Sequence, residues 1–303
     1  MLYLGIDTSN YTTSAALVSE DGRLIADSRL PVTVADGGRG IRQSDAVFTH
    51  IKNLPDVMSG LGEISSLAAV GVSYAPRDTK GSYMPCFLSG VASAKSAAAA
   101  AGVPCLEFSH QAGHIAAALC TAGREDLLNK RFLAFHVSGG TTDLLLVDKL
   151  EITQIGGTLD LNAGQAIDRV GVMLGLAFPC GKELEALADM SCGVKPMSCV
   201  KGTECNLSGL ENRASDMLKM GEPPQRIAAF TLVSVLDTLD KMCRSALAQY
   251  GDLPVVFAGG VTANRYIKSA LEKKYNALFT LPEYSRDNAV GIAYLTRKRM
   301  LGI

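Results

Sequence analysis

Short apolar runs, each followed by a polar turn, open the chain and predict β-strands over residues 2–7, 13–18 and 24–30. The turn Glu20-Asp21-Gly22-Arg23 is typical of a β-hairpin, so these strands are expected to be antiparallel. Further buried strands are predicted over residues 67–74 and 103–108. Helices are predicted over residues 86–101, ending at Gly102 with Pro104 beyond it, and over residues 110–120.

A second set of strands and turns repeats this opening pattern. Strands are predicted over residues 132–137, 143–147, 151–155, 255–258 and 277–281. Helices are predicted over residues 163–174, 182–190, 224–250, 264–274 and, opened by Asp287, over residues 288–299. Because the same order of elements occurs twice, the sequence favours two α/β halves with mixed sheets over one open sheet.

Composition narrows the class of protein. The chain has 303 residues, of which 48% are hydrophobic and 19% charged, enough for one large or two medium domains with substantial cores. The formal net charge of −1 provides no general attraction for a polyanion, so any nucleic acid would bind a local patch or a partner. Apolar runs are too short for a membrane span, the N-terminus lacks a basic region, and the eight cysteines follow no disulfide spacing. We therefore expect a cytoplasmic protein with reduced thiols and no membrane contact.

Three turns rich in small or hydroxylated residues follow predicted strands. Small residues let an anion approach the backbone amides closely, so each turn is a candidate phosphate-binding loop, although such turns are also common as tight connections. A helix is predicted to follow the third turn, and its N-terminus would add a favourable dipole. No Walker A or GxGxxG motif opens a helix, which disfavours P-loop and Rossmann folds. The turns are Asp7-Thr8-Ser9-Asn10, Ser138-Gly139-Gly140-Thr141-Thr142 and Gly259-Gly260-Val261-Thr262-Ala263-Asn264.

Two of the four histidines, His110 and His114, lie four residues apart on a predicted helix. This spacing places both imidazoles on one face, where they could share a metal ion, although a helix-entry histidine beside a packed one is an equal alternative. No glutamate follows His110, so the zinc-protease motif is absent and a third ligand, an Asp or Glu, must come from elsewhere. His50 and His136 are interpreted as structural, although His136 lies at the edge of the Ser138 turn.

The chain resembles the TsaD family of tRNA threonylcarbamoyladenosine synthases, through ordered blocks along most of its length. The resemblance implies an actin-like ATPase (ASKHA) fold of two RNase-H-like domains with mixed sheets facing a nucleotide cleft. One domain is expected over residues 1–108, joined by a helix over 287–303, and the second over 109–286 with the metal and nucleotide site. The blocks are Gly5-Ile6-Asp7-Thr8-Ser9, His110-Gln-Ala-Gly-His114, Val137-Ser138-Gly139-Gly140, residues 162–168 (NAGQAID), residues 174–181 (LGLAFPCG), Leu207-Ser208-Gly209-Leu210, residues 258–264 (AGGVTAN) and Asp287-Asn288.

The resemblance also implies site residues and a reaction. Its metal ligands and catalytic residues fall on His110, His114 and Asp287. The ion would be iron, with zinc and magnesium as alternatives. A member of this family transfers the threonylcarbamoyl group from threonylcarbamoyl-adenylate to the exocyclic amine of the adenosine beside the anticodon of tRNAs reading codons that begin with A, and AMP leaves. TsaB-like and TsaE-like proteins are the implied partners. The implied contacts to the ATP/AMP-type nucleotide and substrate fall on His136, Val137, Ser138, Gly139, Gly140, Asp168, Gly181, Glu185 and Asn264.

Several segments depart from the family's usual pattern, and they leave two alternatives open: a nucleotide-binding scaffold, or a transferase or kinase with another acceptor. The opening motif is Asp7-Thr8-Ser9-Asn10-Tyr11-Thr12-Thr13, where the family usually has Glu-Thr-Ser-Cys-Asp-Asp-Thr. The segment over residues 39–50 is shorter than in the family, and residues 77–85 replace a usual Gly-Pro-Gly-Leu turn. Cys180 and Glu211 replace a usual Gly and Lys. A second metal site at Cys192, Cys199 and Cys205 is a weaker alternative to buried thiols. A tRNA-facing patch, against ordinary surface charge, would comprise Arg39, Arg42, Lys52, Arg77 and Lys80.

Overall fold

A computed structural model describes residues 1–9, 11–32, 41–149, 151–284 and 287–303. The chain divides into two compact units. The first unit combines residues 1–125 with 286–303, and the second contains residues 126–285. Of the helices in these described ranges, none is both long enough and apolar enough to cross a membrane.

The first unit is a five-stranded mixed sheet with helices on both faces. Its strands are β1 (Leu2–Asp7), β2 (Thr12–Ser19), β3 (Leu24–Pro31), β4 (Leu67–Ala75) and β5 (Cys105–Ser109). Its helices are α1 (Gln43–Ser59), α2 (Phe87–Ala101), α3 (His110–Thr121) and α9 (Val290–Leu301). The sheet order is β3-β2-β1-β4-β5, with the first three strands antiparallel and β1, β4 and β5 parallel.

Alternation along β1 explains how both faces of this sheet are covered. Leu4 and Ile6 belong to the buried cluster that also contains residues of α1 and α2. Gly5 points to the opposite face, where a Cβ atom would lie 2.5 Å from the Ala289 carbonyl oxygen and the Ala293 nitrogen. The absence of a side chain at Gly5 therefore lets α9 lie directly against the strand.

The second unit is built on a seven-stranded mixed sheet. Its strands are β6 (Arg131–Val137), β7 (Thr142–Asp148), β8 (Glu151–Thr158), β9 (Cys199–Lys201), β10 (Glu204–Asn206), β11 (Val255–Ala258) and β12 (Leu278–Phe279). Its α-helices are α4 (Ala163–Met173), α5 (Gly181–Leu187), α6 (Ser208–Lys219), α7 (Pro224–Tyr250) and α8 (Arg265–Tyr275). Short 3-10 helices occupy Glu125–Asn129, Gly260–Ala263 and Pro282–Tyr284.

The order of this second sheet is β12-β11-β6-β7-β8-β10-β9. Its five strands β8-β7-β6-β11-β12 reproduce the order of the first sheet, and the pairing directions are also the same. Phe135, Phe257 and Phe279 stack across three neighbouring strands, with ring centroids 4.7 and 5.1 Å apart. The internal repeat predicted from the sequence is therefore a repeat of sheet topology.

The predicted strands and helices are present, with ends displaced by a few residues. Besides the short 3-10 helices, the structure adds two α-helices and two strands that the pattern did not predict, α1, α6, β9 and β10. The division between the units follows Glu125 rather than residue 108, because α3 packs against α9. Gly113 and Gly291 make that contact close, since a Cβ on Gly291 would lie 1.8 Å from the Gly113 carbonyl oxygen. His110, His114 and Asp287 consequently all belong to the first unit.

Candidate metal centre and nucleotide-binding turn

His110 and His114 are placed on one face of α3 by the way this helix begins. Ser109 is the N-cap, and its hydroxyl oxygen accepts a hydrogen bond from the Ala112 amide at 3.1 Å. His110 is thus the first residue of the helix and His114 lies one turn later. Their Nε2 atoms are 2.9 Å apart and both rings are largely buried. The pair predicted from the spacing is therefore formed.

Asp287 brings a carboxylate to the same point from the segment that precedes α9. Its Oδ1 atom lies 3.4 Å from Nε2 of His110 and 3.7 Å from Nε2 of His114. The backbone N–H of Tyr11 reaches the other oxygen, Oδ2, at 3.5 Å. The close crossing of α3 and α9 at Gly113 is what allows the three side chains to meet.

The spacing of these three ligand atoms suits a metal ion. Metal–ligand bonds of about 2.0–2.2 Å at angles between 90° and 109° place neighbouring ligand atoms roughly 2.8–3.6 Å apart. The separations of 2.9 and 3.4 Å fall within that range, and the third, 3.7 Å, lies just above it. Across the described ranges, this is the one group of three histidine, cysteine or acidic side chains close enough together to hold an ion. Three protein ligands would leave coordination positions open for a substrate.

Asp7, at the end of β1, is the residue of this centre whose role the sequence did not reveal. Its side chain has no exposed surface, and its Oδ1 atom lies 3.1 Å from Nδ1 of His110. An ionised carboxylate only accepts hydrogen bonds, so Nδ1 donates to Asp7 and Nε2 is left to face His114 and Asp287. The hydroxyl groups of Ser9 and Ser73 donate to the two Asp7 oxygens. Asp7 therefore orients a ligand histidine, and only the β1–α3 contact in the folded chain shows this.

In this group of two carboxylates and two imidazoles, one imidazole, that of His110, carries a positive charge. Burial on its own disfavours a charged imidazole, yet Asp7 and Asp287 raise the pKa of His110 to about 10. Burial and the neighbouring positive His110 lower the pKa of His114. Burial opposes the charge of Asp7 and Asp287 as well, but the hydrogen bonds and charge of the histidines hold the pKa of each carboxyl below its ordinary value. Without a metal ion, protonated His110 would donate its Nε2–H to neutral His114.

In the second unit, the turn after β6 is open where the turn after β1 is buried. Gly139 and Gly140 are exposed, and a Cβ atom on either would have no neighbour within 4 Å. One hydrogen bond fixes the turn to α4, since the Gly164 amide donates to the Ser138 carbonyl at 3.2 Å. Gly259, with a φ of +101°, supports the same strand end, since a Cβ there would lie 2.4 Å from the Val137 carbonyl oxygen. His136 and Val137 are the last two residues of β6.

Asp168 and Gly181 are brought together by α4 and α5. Oδ1 of Asp168 accepts the Cys180 amide at 2.8 Å, which places Gly181, the first residue of α5, directly after this contact. Burial raises the pKa of Asp168, and the Cys180 hydrogen bond partly offsets this. A Cβ on Gly181 would meet no atom within 4 Å. This pair therefore combines a carboxylate with backbone that a ligand could approach.

Glu185 and Asn264 meet at the start of α8. Oε1 of Glu185 accepts the Arg265 amide at 3.0 Å, and the Asn264 side chain caps the helix by accepting the Ile267 amide at 3.0 Å. The glycines of the third turn do not open this helix directly, because a 3-10 turn over Gly260–Ala263 intervenes. Protein side chains therefore occupy two of the first α8 amides, which the sequence had suggested for a phosphate.

The remaining candidates take other places. His50 is wholly buried, with Nδ1 2.9 Å from the Thr13 hydroxyl. All eight cysteines lie in described residues and are free thiols, and Cys192, Cys199 and Cys205 do not form a metal-binding group. Thr8 and Ser9 are buried and bond to neighbouring protein groups rather than lining an open turn. Arg39 and Asn10 lie outside the described residues, so the basic patch and that departure stay predictions.

Three solved structures illustrate the folds that this chain is similar to. Component A of the (R)-2-hydroxyglutaryl-CoA dehydratase of Acidaminococcus fermentans is 16% identical over 99% of both chains, with a TM-score of 0.59. The activator of the 2-hydroxyisocaproyl-CoA dehydratase of Clostridium difficile, with bound ADPNP, is 12% identical over 100% of this chain and 96% of the other, with a TM-score of 0.56. Full-length HypF in its phosphate- and nucleotide-bound form is 14% identical over 99% of this chain and 55% of the other, with a TM-score of 0.66. These similarities establish the fold, that of the actin-like ATPases.

The family is established by a match along the sequence. A family model described as "TsaD: tRNA N6-adenosine threonylcarbamoyltransferase" matches residues 48–294, well over half of the chain. The matched range contains His110, His114 and Asp287, and all the second-unit candidates, whereas Asp7 and Tyr11 lie before it. With the repeated sheet topology and the His-His-Asp group in place, the chain belongs to the TsaD family.

Proposed function

We propose that this protein transfers the threonylcarbamoyl group from threonylcarbamoyl-adenylate to the exocyclic amine of the adenosine beside the anticodon, in tRNAs that read codons beginning with A. The observation that carries the proposal is the group of His110, His114 and Asp287, whose ligand-atom spacing suits a metal ion in a chain of the TsaD family. Family membership supports a transferase, and the residues below supply its parts.

The reaction exchanges one acyl bond for another. The lone pair of the adenosine N6 amine attacks the carbamoyl carbonyl carbon, and the bond from that carbon to the phosphate oxygen breaks. AMP leaves with the electron pair, and the amine gives up one proton to solvent or a neighbouring base. We assign no serine or cysteine as a nucleophile, because direct attack by the amine is the simpler route.

The first unit would hold the metal. His110 and His114 would donate Nε2 lone pairs and Asp287 a carboxylate oxygen, while Asp7 keeps the His110 ring in the required orientation. When bound, a divalent ion supplies Lewis-acid polarisation of a carbonyl oxygen. Two imidazoles with one carboxylate favour a transition metal, so we propose iron, with zinc and magnesium as alternatives.

The second unit would hold the nucleotide. The exposed Ser138-Gly139-Gly140 turn offers backbone amides to a phosphate, since neither glycine has a side chain to obstruct it. Asp168 keeps one carboxylate oxygen for a ribose hydroxyl, because among the described residues only Oδ1 accepts a hydrogen bond. We assign His136, Val137, Gly181, Glu185 and Asn264 to the same nucleotide and substrate site.

The substrates, partner proteins and cellular location that we propose are those that the family resemblance implies. We propose tRNA and threonylcarbamoyl-adenylate as substrates, TsaB-like and TsaE-like proteins as partners, and the cytoplasm as the location.

A second candidate is transfer to an acceptor other than tRNA, and Tyr11 is the observation that favours it. Its backbone N–H contacts the carboxylate of Asp287, and its aromatic side chain is 47% exposed. Family members usually carry a carboxylate at this place in their opening motif, so the residue whose backbone contacts Asp287 differs from the usual one in charge and shape.

The decisive experiment incubates the purified chain, alone and with a TsaB-like partner, with threonylcarbamoyl-adenylate and unmodified tRNA. Nucleoside mass spectrometry then measures modified adenosine. We expect product with the natural sequence and none with His114→Ala. The matched control is His50→Ala with its stability measured, because this histidine is also buried but lies outside the ligand group.

Two results would contradict the proposal. Product formed at an undiminished rate by His114→Ala would exclude the metal site from the reaction. Absence of product with the partner present, while AMP binds to the second unit, would exclude tRNA as the acceptor and leave the second candidate.

A further inference from the structure

The loop that joins β4 to α2 lies beside the candidate metal centre because of the order of the strands. β1, β4 and β5 run parallel, and β4 is the middle strand of the three. The carboxyl ends of parallel strands meet at one edge of a sheet, where ligands usually bind. Asp7 ends β1 and His110 directly follows β5, so the loop after β4 starts between these two residues. We call residues 76–86 the β4–α2 loop.

Hydrogen bonds fix both ends of the β4–α2 loop to the elements that carry the metal centre. Near its start, Oδ2 of Asp78 accepts the hydroxyl of Ser109, the N-cap of α3, at 2.6 Å. At its end, the Cys86 carbonyl accepts the Thr8 hydroxyl at 3.0 Å. Each of these two partners is the chain neighbour of a residue in the centre. The position of the loop is therefore tied to that of the centre.

The tip of the loop is a closed turn. The Arg77 amide donates to the Ser82 hydroxyl oxygen at 3.0 Å, and the Ser82 amide donates to the Thr79 carbonyl at 3.0 Å. Gly81 has a φ of +86°, which the third residue of a type II turn requires. Lys80 is thus placed at the corner of a defined turn. A tip with a fixed conformation loses little chain entropy when it binds a ligand.

The tip presents an aromatic ring and a positive charge to solvent. Tyr83 is 62% exposed, and Lys80 is exposed and forms no ion pair with a described residue. An aromatic face stacks on an unpaired base and a lysine contacts a phosphate, so the two side chains suit a single-stranded nucleic acid. An acidic peptide would pair with the lysine but would leave the exposed ring without a partner. The Gly-Pro-Gly-Leu turn that is usual in the family has neither group, so this feature belongs to this chain.

We propose that the β4–α2 loop binds unpaired nucleotides of the RNA acceptor, with one base stacked on Tyr83 and a neighbouring phosphate bonded to Lys80. The identity of the acceptor rests on the proposed function, and the loop adds the residues that select an unpaired segment. Neither residue belongs to the proposed metal site or nucleotide site. RNA binding through the loop and threonylcarbamoyl transfer can therefore be measured separately.

Fluorescence anisotropy with the full chain and a labelled anticodon stem-loop RNA tests the role of Tyr83. We expect Tyr83→Ala to weaken binding about tenfold, because the variant loses one stacked base without a change in charge. Tyr83→Phe keeps the ring and should bind within about twofold of the natural sequence. A blunt RNA duplex of equal length has no unpaired base, so it should bind more weakly and should not respond to Tyr83→Ala. Circular dichroism melting verifies that the variants fold.

The salt dependence of the same binding tests Lys80. Lys80→Gln should reduce the slope of log affinity against log salt concentration by about 1, because one phosphate contact is lost. Lys219→Gln is the matched control, since Lys219 is also exposed but lies on α6 in the second unit, and it should leave the slope unchanged. Equal slopes in the two variants would contradict the phosphate contact of Lys80.

Three results would overturn the role of the loop: no RNA binding by the natural sequence, unchanged affinity in folded Tyr83→Ala, or displacement of the RNA by poly-glutamate as readily as by unlabelled RNA. The transfer reaction is judged separately by nucleoside mass spectrometry. Stem-loop binding that depends on Tyr83, without modified adenosine, would support the loop and contradict the proposed transfer. Modified adenosine together with unchanged affinity in Tyr83→Ala would support the transfer and contradict the loop.

Discussion

In the first unit β1 ends in Asp7-Thr8-Ser9, three residues with no exposed surface, whereas in the second unit the corresponding strand β6 runs into the exposed Gly139-Gly140 turn. The two strands occupy the same position in sheets of the same order. In one unit the position supports a candidate metal centre, and in the other it leaves backbone open for a ligand. Sheet topology thus fixes where a turn lies, while burial and side-chain chemistry decide what it can bind.

Removing a ligand of the candidate metal centre should have the largest effect on the difference between the two units. Asp287→Asn keeps the shape of the side chain but removes its charge, and we expect at least about a 100-fold loss of metal affinity. Metal analysis of the purified protein, with competition by a chelator, measures this loss. Asp56→Asn, the same change at an exposed position of α1, should leave metal content unchanged. Equal affinity in the two variants would remove Asp287 from the centre.

Replacement of Asp7 tests whether the buried end of β1 belongs to that centre. Asp7→Asn removes the negative charge beside Nδ1 of His110, and we expect metal affinity to fall about 10- to 100-fold. The His110 pKa should also fall toward its ordinary value, which NMR titration of the metal-free protein would detect. Unchanged metal affinity, with the fold preserved, would make Asp7 a structural residue only.

Gly291→Ala tests the crossing of α3 and α9. The new Cβ would lie 1.8 Å from the Gly113 carbonyl oxygen, so the helices must separate. We expect a loss of about 1–3 kcal/mol in the free energy of unfolding, together with weaker metal binding. Denaturant titration and metal competition measure the two effects. Full metal affinity in the destabilised variant would mean that the crossing does not set the ligand spacing.

In the open turn of the second unit, a glycine-to-alanine change should weaken ligand binding without lowering stability, in contrast to Gly291→Ala. Gly140→Ala places a Cβ where no atom lies within 4 Å, so the unfolding free energy should change by less than about 0.5 kcal/mol. If a phosphate approaches these amides, AMP affinity should fall by about tenfold, which calorimetry measures. A variant that binds AMP normally would show that the turn serves only as a connection.

A proton should accompany metal binding to the first unit. The metal-free centre holds a proton on His110 up to a pKa of about 10, whereas a metal ligand must be deprotonated. Binding near neutral pH should therefore release one proton. The metal affinity should rise about tenfold for each unit by which the pH is raised, up to that pKa. Calorimetry in buffers of different ionisation enthalpy counts the protons. A count of zero would contradict the charge state assigned to His110.

Most helices and strands were predicted from the sequence pattern alone, and the helices that were missed were missed for identifiable reasons. Helix α7 was predicted with its observed ends, because a long apolar period begins after Pro223 and ends at Gly251. Helix α1 was missed because Phe48 and Ile51 lie outside its buried stripe and Pro55 interrupts its pattern. Helix α6 begins in a Ser-Gly segment that also fits a turn, and its N-terminal amides are satisfied by Asp160, 47 residues earlier in the chain.

The sequence by itself determined the repeated order of strands, the His110–His114 pair and the glycine-rich turns, because each depends on residues close together in the chain. The family resemblance had implied Asp287 as the third ligand, and the tertiary structure shows the contact with this pair. Only the tertiary structure decided that Asp7 orients His110 and that α3 belongs with the first unit. Those relations join segments separated by more than 100 residues. They depend on the close crossing at Gly113 and Gly291, where two backbones touch because neither carries a side chain.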